Sequence, residues 1–187
     1  MAKFVKSAKN ITDWINDNVD EIAFIGRSNV GKSSLINALA KQKIAVTSKS
    51  PGRTQLANFY DFDKYRIIDL PGYGYAKVNK SKKIDLINII DDVFNYRKNI
   101  FAFFQICDAN VVTEEDVKIH KYLARKFANC YIVLNKTDKQ PIKIYLSKLD
   151  KIAKYLDIDK EHIIFVSAKK NENIDVLRQT IKNLLNF

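Results

Sequence analysis

The chain has 187 residues, room for one domain with a full-sized core, and its 47% hydrophobic and 11% aromatic content is that of a globular protein. No run of about 18 apolar residues is present to cross a bilayer, and the start Met1-Ala-Lys-Phe-Val-Lys lacks the apolar region of a secretion signal. A net charge of +11, from 32 Lys and Arg against 21 Asp and Glu, favours polyanionic partners (RNA, DNA or an anionic membrane surface), although coding-base bias toward Lys, Asn and Ile produces the same excess.

Residues 11–19 are polar around Trp14 and Ile15 and predict a short packed helix, so residues 1–20 read as an extension and 21–187 as the single domain. The apolar run Ile22–Ile25 predicts a strand, and Ser33–Ala40 the helix after it. Between them lies Gly26-Arg27-Ser28-Asn29-Val30-Gly31-Lys32-Ser33, a G-x-x-x-x-G-K-[ST] loop in the strand–loop–helix setting that its chemistry requires. Backbone N–H groups converge on phosphate oxygens only where no Cβ intervenes, and the helix N-terminus adds a positive dipole end. In that chemistry Lys32 reaches the β- and γ-phosphates and the Ser33 hydroxyl binds Mg²⁺.

A polar loop, Lys41–Gln55, precedes the strand Leu56–Asp61, which only Phe62-Asp63-Lys64 separates from the strand Tyr65–Leu70. Three residues permit a hairpin but no helical crossover, so one antiparallel edge strand is expected in an otherwise parallel sheet. Pro71–Lys80 reads as a second exposed loop. Then come the helix Lys82–Tyr96, a central strand Phe101–Cys107, the helix Glu114–Phe127, the strand Tyr131–Leu134, the helix Ile142–Leu156, the strand Ile163–Val166 and the helix Ile174–Leu185. Six strands alternating with helices specify an α/β fold, a mostly parallel sheet covered on both faces. Cys107 and Cys130 sit in strand-like apolar runs and read as reduced core residues, and His120 and His162 as structural or surface residues.

Three further motifs follow in register. Asp69-Leu70-Pro71-Gly72 ends a strand beside the phosphate loop, where Asp69 can hold Mg²⁺ and the Gly72 N–H can meet the γ-phosphate. Asn135-Lys136-Thr137-Asp138 follows the next strand but one; the Asp138 carboxylate matches the adjacent N1–H and N2–H₂ donors of guanine, a pair that adenine lacks. Asn135 can tie the loop and contact the base, and the Lys136 stem can lie across the ring. Ser167-Ala168-Lys169 ends the last strand, where the small Ala168 lets its N–H approach the guanine O6. Thr54, in the first polar loop, can complete the Mg²⁺ sphere when a γ-phosphate is present and release when it leaves; Gly52, Arg53, Gln55 and Leu56 flank it at the nucleotide. The expected catalytic set is Lys32, Thr54, Gly72 and Asn29, and the metal set is Ser33, Thr54 and Asp69. Residue 135–138 chemistry argues against a P-loop kinase or ATPase. A binding module with incidental turnover, or a regulator of the septum, remain as alternatives.

The chain resembles the EngB (YihA/YsxC) family of bacterial ribosome-assembly GTPases, among the translation-factor-related P-loop GTPases. The resemblance is carried by Gly-Arg-Ser-Asn-Val-Gly-Lys-Ser-Ser-Leu-Ile-Asn at 26–37, Ser-Pro-Gly-Arg-Thr-Gln at 50–55 with Asn58-Phe59-Tyr60, and Asp-Leu-Pro-Gly-Tyr-Gly-Tyr-Ala-Lys-Val at 69–78. Asn-Lys-Thr-Asp departs from the commoner family form Thr-Lys-Ala-Asp but keeps Lys136 and Asp138. The resemblance implies a three-layer Ras-like fold and a cytoplasmic, Mg²⁺-dependent GTPase of large-subunit assembly, contacting ribosomal RNA and proteins and needed for division and septation; a monomer is expected because no surplus apolar helix face is obvious in the sequence. Small signalling GTPases resembling this fold have a water-orienting Gln after the glycine at the Gly72 position; here Tyr73 stands there, so slow hydrolysis is expected. Asn29 is expected either to help bind K⁺ near the β/γ-phosphates, as in related GTPases, or simply to cap the loop. Lys77, Lys80, Lys82 and Lys83 beside the second loop, with Lys49 and Arg53 near the first, are the expected RNA-gripping charges.

Overall fold

A computed structural model describes residues 1–47, 56–74 and 80–187, with the backbone alone for 80–86. Its centre is β2 (Glu21–Gly26), all six residues buried, paired in parallel with β4 (Tyr65–Asp69) on one side and β5 (Ile100–Asp108) on the other. β6 (Cys130–Asn135) and β7 (Ile163–Phe165) extend the parallel half. β3 (Ala57–Phe62) folds back on β4, with Phe62 paired to Tyr65, so Asp63-Lys64 alone make the turn and Asp63 takes a positive φ of 24°. Two-residue hairpin turns need that left-handed backbone, which Asp tolerates.

Among the described residues the sheet has seven strands rather than the six expected, in the order β1-β3-β4-β2-β5-β6-β7. The addition is β1 (Lys3–Ala8), antiparallel to β3, so the one reversed strand lies second from the edge. Five of the six β1 residues are exposed. An edge strand that exposes five of six side chains carries no inside–outside alternation, so periodicity has nothing to register, although Phe4 packs edge-on against Tyr60 and the Ser7 hydroxyl donates to Asn58 Oδ1 at 2.6 Å. The helix expected over 11–19 is a single 3₁₀ turn, Ile11–Asp13, after which Trp14 is buried edge-on against Phe59 at 5.1 Å between ring centroids.

Alternation along the central strands divides the core. Ile22, Phe24, Phe104 and Ile106 pack against α1 (Lys32–Ala40) and α6 (Ile174–Leu184). Ala23, Ile25, Ile68 and Phe103 face α2 (Lys80–Tyr96) and α3 (Glu114–Ala124). Each fully buried large side chain contributes about 1.5–3 kcal/mol to the folded state. The helix expected over 142–156 is two, α4 (Ile142–Leu146) and α5 (Leu149–Leu156). The Ser147 hydroxyl donates to the Ile144 carbonyl at 2.9 Å, and Lys148 turns to φ −102°, ψ −1°. That side-chain bond offers the backbone an alternative to continuing the helix.

The base of the sheet, opposite the phosphate loop, is an ion cluster. The Arg66 guanidinium, 3% exposed, reaches Asp17 at 2.9 Å, Asp61 at 2.7 Å and Glu21 at 3.3 Å, while Arg97 donates to Glu21 at 2.5 Å and to the Ile15 carbonyl at 2.8 Å. Hydrogen bonding from Arg66 holds the Asp17 carboxyl below its ordinary value, whereas burial outweighs Arg97 and Arg66 at Glu21 and pushes it up. Breaking such a buried cluster by removing one partner is more costly than its net worth suggests, because the remaining charges stay buried. It pins residues 15–20 to β2 and β4 and leaves the other end of the sheet to the functional residues.

Candidate functional site

At the C-terminal end of β2 the chain leaves the sheet through residues 26–31 and enters α1. Asn29 has φ 67° and Gly31 φ 98°, so two of six residues take the left-handed region. Gly31 is the N-cap of α1, accepting from the Leu35 N–H at 2.9 Å. A Cβ on Gly31 would lie 2.5 Å from Asn135 Nδ2, so both conformation and space demand glycine. Val30 is 2% exposed and buries its side chain in the core; it contributes backbone only. Arg27 and Ser28 are half-buried, as is Ser33 one residue into α1.

Lys32 is 9% exposed; its Nζ donates to the Gly26 carbonyl at 3.3 Å and stands 3.9 Å from Asp69 Oδ1. Asp69 closes β4 at 1% exposure, and its Oδ1 has no hydrogen-bond partner. Burial pushes its carboxyl up to about 6, with Lys32 pulling the other way. The pair is therefore a buried cation and a buried oxygen, each short of partners. Such an arrangement is costly unless something polar completes it. Leu70 is fully buried, its N–H donating to Phe24 at 2.9 Å, so its side chain serves the core. Pro71 is half-buried beside it, and a Cβ on Gly72 would lie 3.2 Å from Lys32 Nζ, Ser28 Oγ and the Gly26 carbonyl alike. The Gly72 backbone thus lines the same small space as Lys32.

The second motif meets the first through one side chain. Asn135 Nδ2 donates to the Val30 carbonyl at 2.9 Å, and its Oδ1 accepts from the Ala168 N–H at 3.1 Å. The Ala168 amide is thus engaged by Asn135 in this structure, an arrangement that residue type did not reveal. Lys136, at φ 69°, donates to the Asn29 carbonyl at 2.7 Å and to Asp108 Oδ2 at 2.9 Å, which stretches its stem across the mouth of the site. Thr137 is buried, its N–H bonded to the Val166 carbonyl at 3.2 Å. The fully buried Ser167 donates from Oγ to Asp138 Oδ1 at 2.7 Å, and the exposed Lys169 places Nζ 3.9 Å from Asp138 Oδ2. An open cleft of about 960 Å³ joins Gly31, Asn135, Lys136, Asp138, Ala168 and Lys169, and runs on along α1 and α6. Its volume is in the range of ligand pockets.

Three residues outside the expected set hold Lys136 in place. Asp108, at the end of β5, accepts from Asn110 through N–H (3.0 Å) and Nδ2 (2.8 Å), and takes Lys139 Nζ at 3.6 Å on the oxygen that meets Lys136. Burial would raise its carboxyl, but the Asn110 bonds and Lys136 together hold it below the usual value. Tyr145 fixes Asn110 by donating to its Oδ1 at 2.8 Å. An Asp closing the central strand beside two of the motif-bearing strands is the only sequence signal for this group. Gly52, Arg53, Thr54 and Gln55 lie outside the described residues, as do Lys49 and Lys77 and the side chains of Lys80, Lys82 and Lys83. Leu56, where the description resumes, is 36% exposed.

A family model described as "50S ribosome-binding GTPase" matches residues 21–136. The chain is 55% identical to the "Probable GTP-binding protein EngB" of Malacoplasma penetrans, over 99% of this chain and 100% of that protein. Among solved structures, a probable GTP-binding protein engB superposes with a TM-score of 0.75 at 26% identity, over 89% of this chain and 98% of its own. Era bound to MgGDPNP and a segment of 16S ribosomal RNA superposes with a TM-score of 0.68 at 26% identity, over 90% of this chain and 57% of Era. A phosphate loop, an Asp-x-x-Gly strand end and an Asn-Lys-x-Asp loop at the C-terminal ends of β2, β4 and β6 therefore have full-length relatives with the same fold, and the chain belongs to the EngB family of P-loop GTP-binding proteins, which are GTPases.

Proposed function

We propose that this chain is a Mg²⁺-dependent GTP switch acting in assembly of the large ribosomal subunit, as a cytoplasmic monomer whose residues 21–187 form the G domain. The observation that carries the reading is the pairing of two separate recognition groups at the C-terminal ends of the parallel strands. Lys32 and the unpartnered Asp69 Oδ1 await a polyphosphate with its cation, and Asp138, oriented by Ser167, awaits a base. Guanine is the base whose donors match that carboxylate. The buried, partnerless carboxylate oxygen and the Ser33 hydroxyl are hard oxygen donors suited to Mg²⁺, with Thr54 as the third expected ligand. When bound, Mg²⁺ neutralises phosphate charge at the reacting end. Lys32 supplies a fixed positive charge to the β/γ oxygens, the loop from Gly26 to Ser33 supplies backbone donors, and the Gly72 N–H donates to the γ-phosphate. Among the described residues no helix is long and apolar enough to cross a membrane.

The large-subunit reading is supported by the description of the matching family model, and contact with ribosomal RNA by the 16S segment held by the related Era structure and by the net charge of +11. Co-sedimentation with large-subunit particles tests it: binding is expected with a non-hydrolysable GTP analogue, weaker with GDP, and falling steeply with salt as phosphate contacts are lost. Absence from the particles in every nucleotide state rejects the ribosomal role and leaves the septum as the site of action to examine.

Slow turnover is part of the same proposal. The Tyr73 side chain is buried at 6% exposure with its hydroxyl bonded inward, so this position presents no group to orient a water. Asn29, exposed in the phosphate loop, is the candidate for compensating with K⁺. Its φ of 67° already favours Asn for conformation alone, so the assay must separate the two roles. Hydrolysis is expected to be about tenfold or more faster in KCl than in NaCl, and Asn29→Ala is expected to remove that difference while retaining GDP binding. Equal rates in the two salts reject the K⁺ role.

A further inference from the structure

Tyr73 is the residue that the proposed mechanism leaves without a task, and it is one of the most connected side chains near the site. Its backbone N–H donates to the Gly26 carbonyl at 3.4 Å, and its carbonyl accepts from the Ser28 N–H at 2.9 Å. Residue 73 is thereby bridged to the phosphate loop, in a parallel bridge with Arg27. Its hydroxyl donates to Asp116 Oδ1 at 2.9 Å and accepts from Gln105 Nε2 at 2.6 Å.

Asp116 is the hinge of the arrangement. It is the third residue of α3, and its Oδ2 accepts from both the N–H and the hydroxyl of Thr113 at 2.8 Å, while Thr113 Oγ1 accepts from the Asp116 N–H at 3.4 Å. This reciprocal capping box defines where α3 begins. Gln105 Nε2 also donates to the Asp116 carbonyl at 2.8 Å. A few bonds therefore join the phosphate loop, the residue after Gly72 and the first turn of a helix on the sheet's outer face. A second contact runs parallel to the first: Gly74, at φ 75°, packs so closely that a Cβ would press on the Arg27 chain and lie 2.9 Å from Glu115 Oε2.

The network is incompletely satisfied. Gln105 Oε1 and Arg27 Nε are buried without a hydrogen-bond partner, the latter with Asp116 Oδ2 at 3.8 Å. A buried polar network built for stability alone saturates its groups, whereas one with an open donor and an open acceptor has bonds to exchange. Gly72 lies one peptide bond from Tyr73, and a Cβ on it would lie 3.2 Å from Lys32 Nζ, so any shift of the Gly72 peptide toward a γ-phosphate would carry the phenol's own backbone with it. Packed interiors pass such a displacement on instead of absorbing it.

We propose that Tyr73 is a positioning residue that couples γ-phosphate occupancy at Gly72 to the first turn of α3, residues 113–116, so that this turn reports the nucleotide state. The inference rests on the site being a GTP site, and its test separates the two. Hydrogen exchange on the wild-type chain is expected to show several-fold different rates for the amides of 113–117 between GDP and a non-hydrolysable GTP analogue. Tyr73→Phe, which deletes the hydroxyl and keeps the ring, is expected to erase that difference and to shift the ratio of GDP to analogue affinity by about tenfold. Gln105→Leu is expected to shift the same ratio, with the double variant no further shifted than the larger single effect. Identical exchange at 113–117 in both nucleotide states of the wild type overturns the coupling, as does a Tyr73→Phe chain that keeps the full difference. A purely structural Tyr73 lowers the melting temperature and leaves the affinity ratio alone, which also overturns it. Where Tyr73→Phe does not fold, the wild-type exchange and the Gln105→Leu ratio decide. Failure of the wild type to bind either nucleotide removes the site reading itself, and the coupling with it.

Discussion

Asp138→Asn is expected to lose GDP affinity by about two to three orders of magnitude and to gain xanthosine diphosphate in its place. The effect follows from counting donors and acceptors. Guanine presents N1–H and N2–H₂ side by side, and an ionised carboxylate offers an acceptor to each. The Ser167 hydroxyl donates to Asp138 Oδ1 at 2.7 Å, and Lys169 Nζ stands 3.9 Å from Oδ2, so the carboxylate is oriented before any base arrives. An amide in its place offers one acceptor and one NH₂, and that NH₂ faces the guanine N2–H₂ donor to donor. Xanthine carries a carbonyl at C2, which accepts from the same NH₂ and restores the pairing. Because the mismatch falls in a desolvated contact, it costs the full penalty of an unpaired donor. Competition of guanosine and xanthosine diphosphates against a fluorescent GDP reads the change directly. A variant that keeps guanine and refuses xanthine shows that another group reads the base.

How far the sequence foretold this site depended on how local each feature was. The phosphate loop is encoded within eight residues, and its glycines answer to a positive φ and a missing Cβ that can be argued without neighbours. The same holds for Asp69 and Asp138, whose strand ends follow from apolar runs. The features that stayed hidden are those fixed by residues distant in the chain. β1 is held by backbone pairing to β3, some fifty residues on, and exposes nearly all its side chains. Asp108 acquires its role from Lys136, and the inward turn of Tyr73 from Gln105 and Asp116. The bond from the Ala168 amide, expected to approach the guanine O6, to Asn135 Oδ1 is likewise fixed by a residue 33 positions away. The break between α4 and α5 came from the hydroxyl of Ser147, a residue that helical periodicity passes over. The roles of Gly52, Arg53, Thr54 and Gln55 rest on the motif alone, since these residues lie outside those described.

Asp69→Asn is expected to make the nucleotide-free protein more stable while abolishing Mg²⁺-dependent function, a combination that a merely structural carboxylate does not give. Asp69 is 1% exposed, its Oδ1 has no hydrogen-bond partner, and Lys32 Nζ at 3.9 Å is too far to supply one. Burial pushes the carboxyl up from 3.8 to about 6, against the pull of Lys32. In the unfolded chain the proton leaves near 3.8, but in the fold it is retained to about 6, so this group's contribution to stability is present at low pH and falls as pH rises through that window. Above it the folded protein carries the full penalty of a buried, poorly paired charge. The neutral, isosteric amide removes the penalty, while Lys32 keeps the Gly26 carbonyl. The expected gain is about 1–3 kcal/mol at neutral pH, shrinking toward zero as pH approaches 4. Urea unfolding of the two proteins at about pH 4.5 and about pH 7.5 measures it. With nucleotide the order reverses: an amide is a far poorer ligand for a hard dication, so GTP hydrolysis is expected to fall by about a hundredfold or more, to the level of the wild type in a chelator. Such opposed effects are what a strained functional site produces, because the charge that costs stability in the empty protein is the one that the ligand needs. A variant that is less stable than the wild type at neutral pH shows that Asp69 is paired within the fold instead, and the metal role then passes to Ser33 and Thr54 alone.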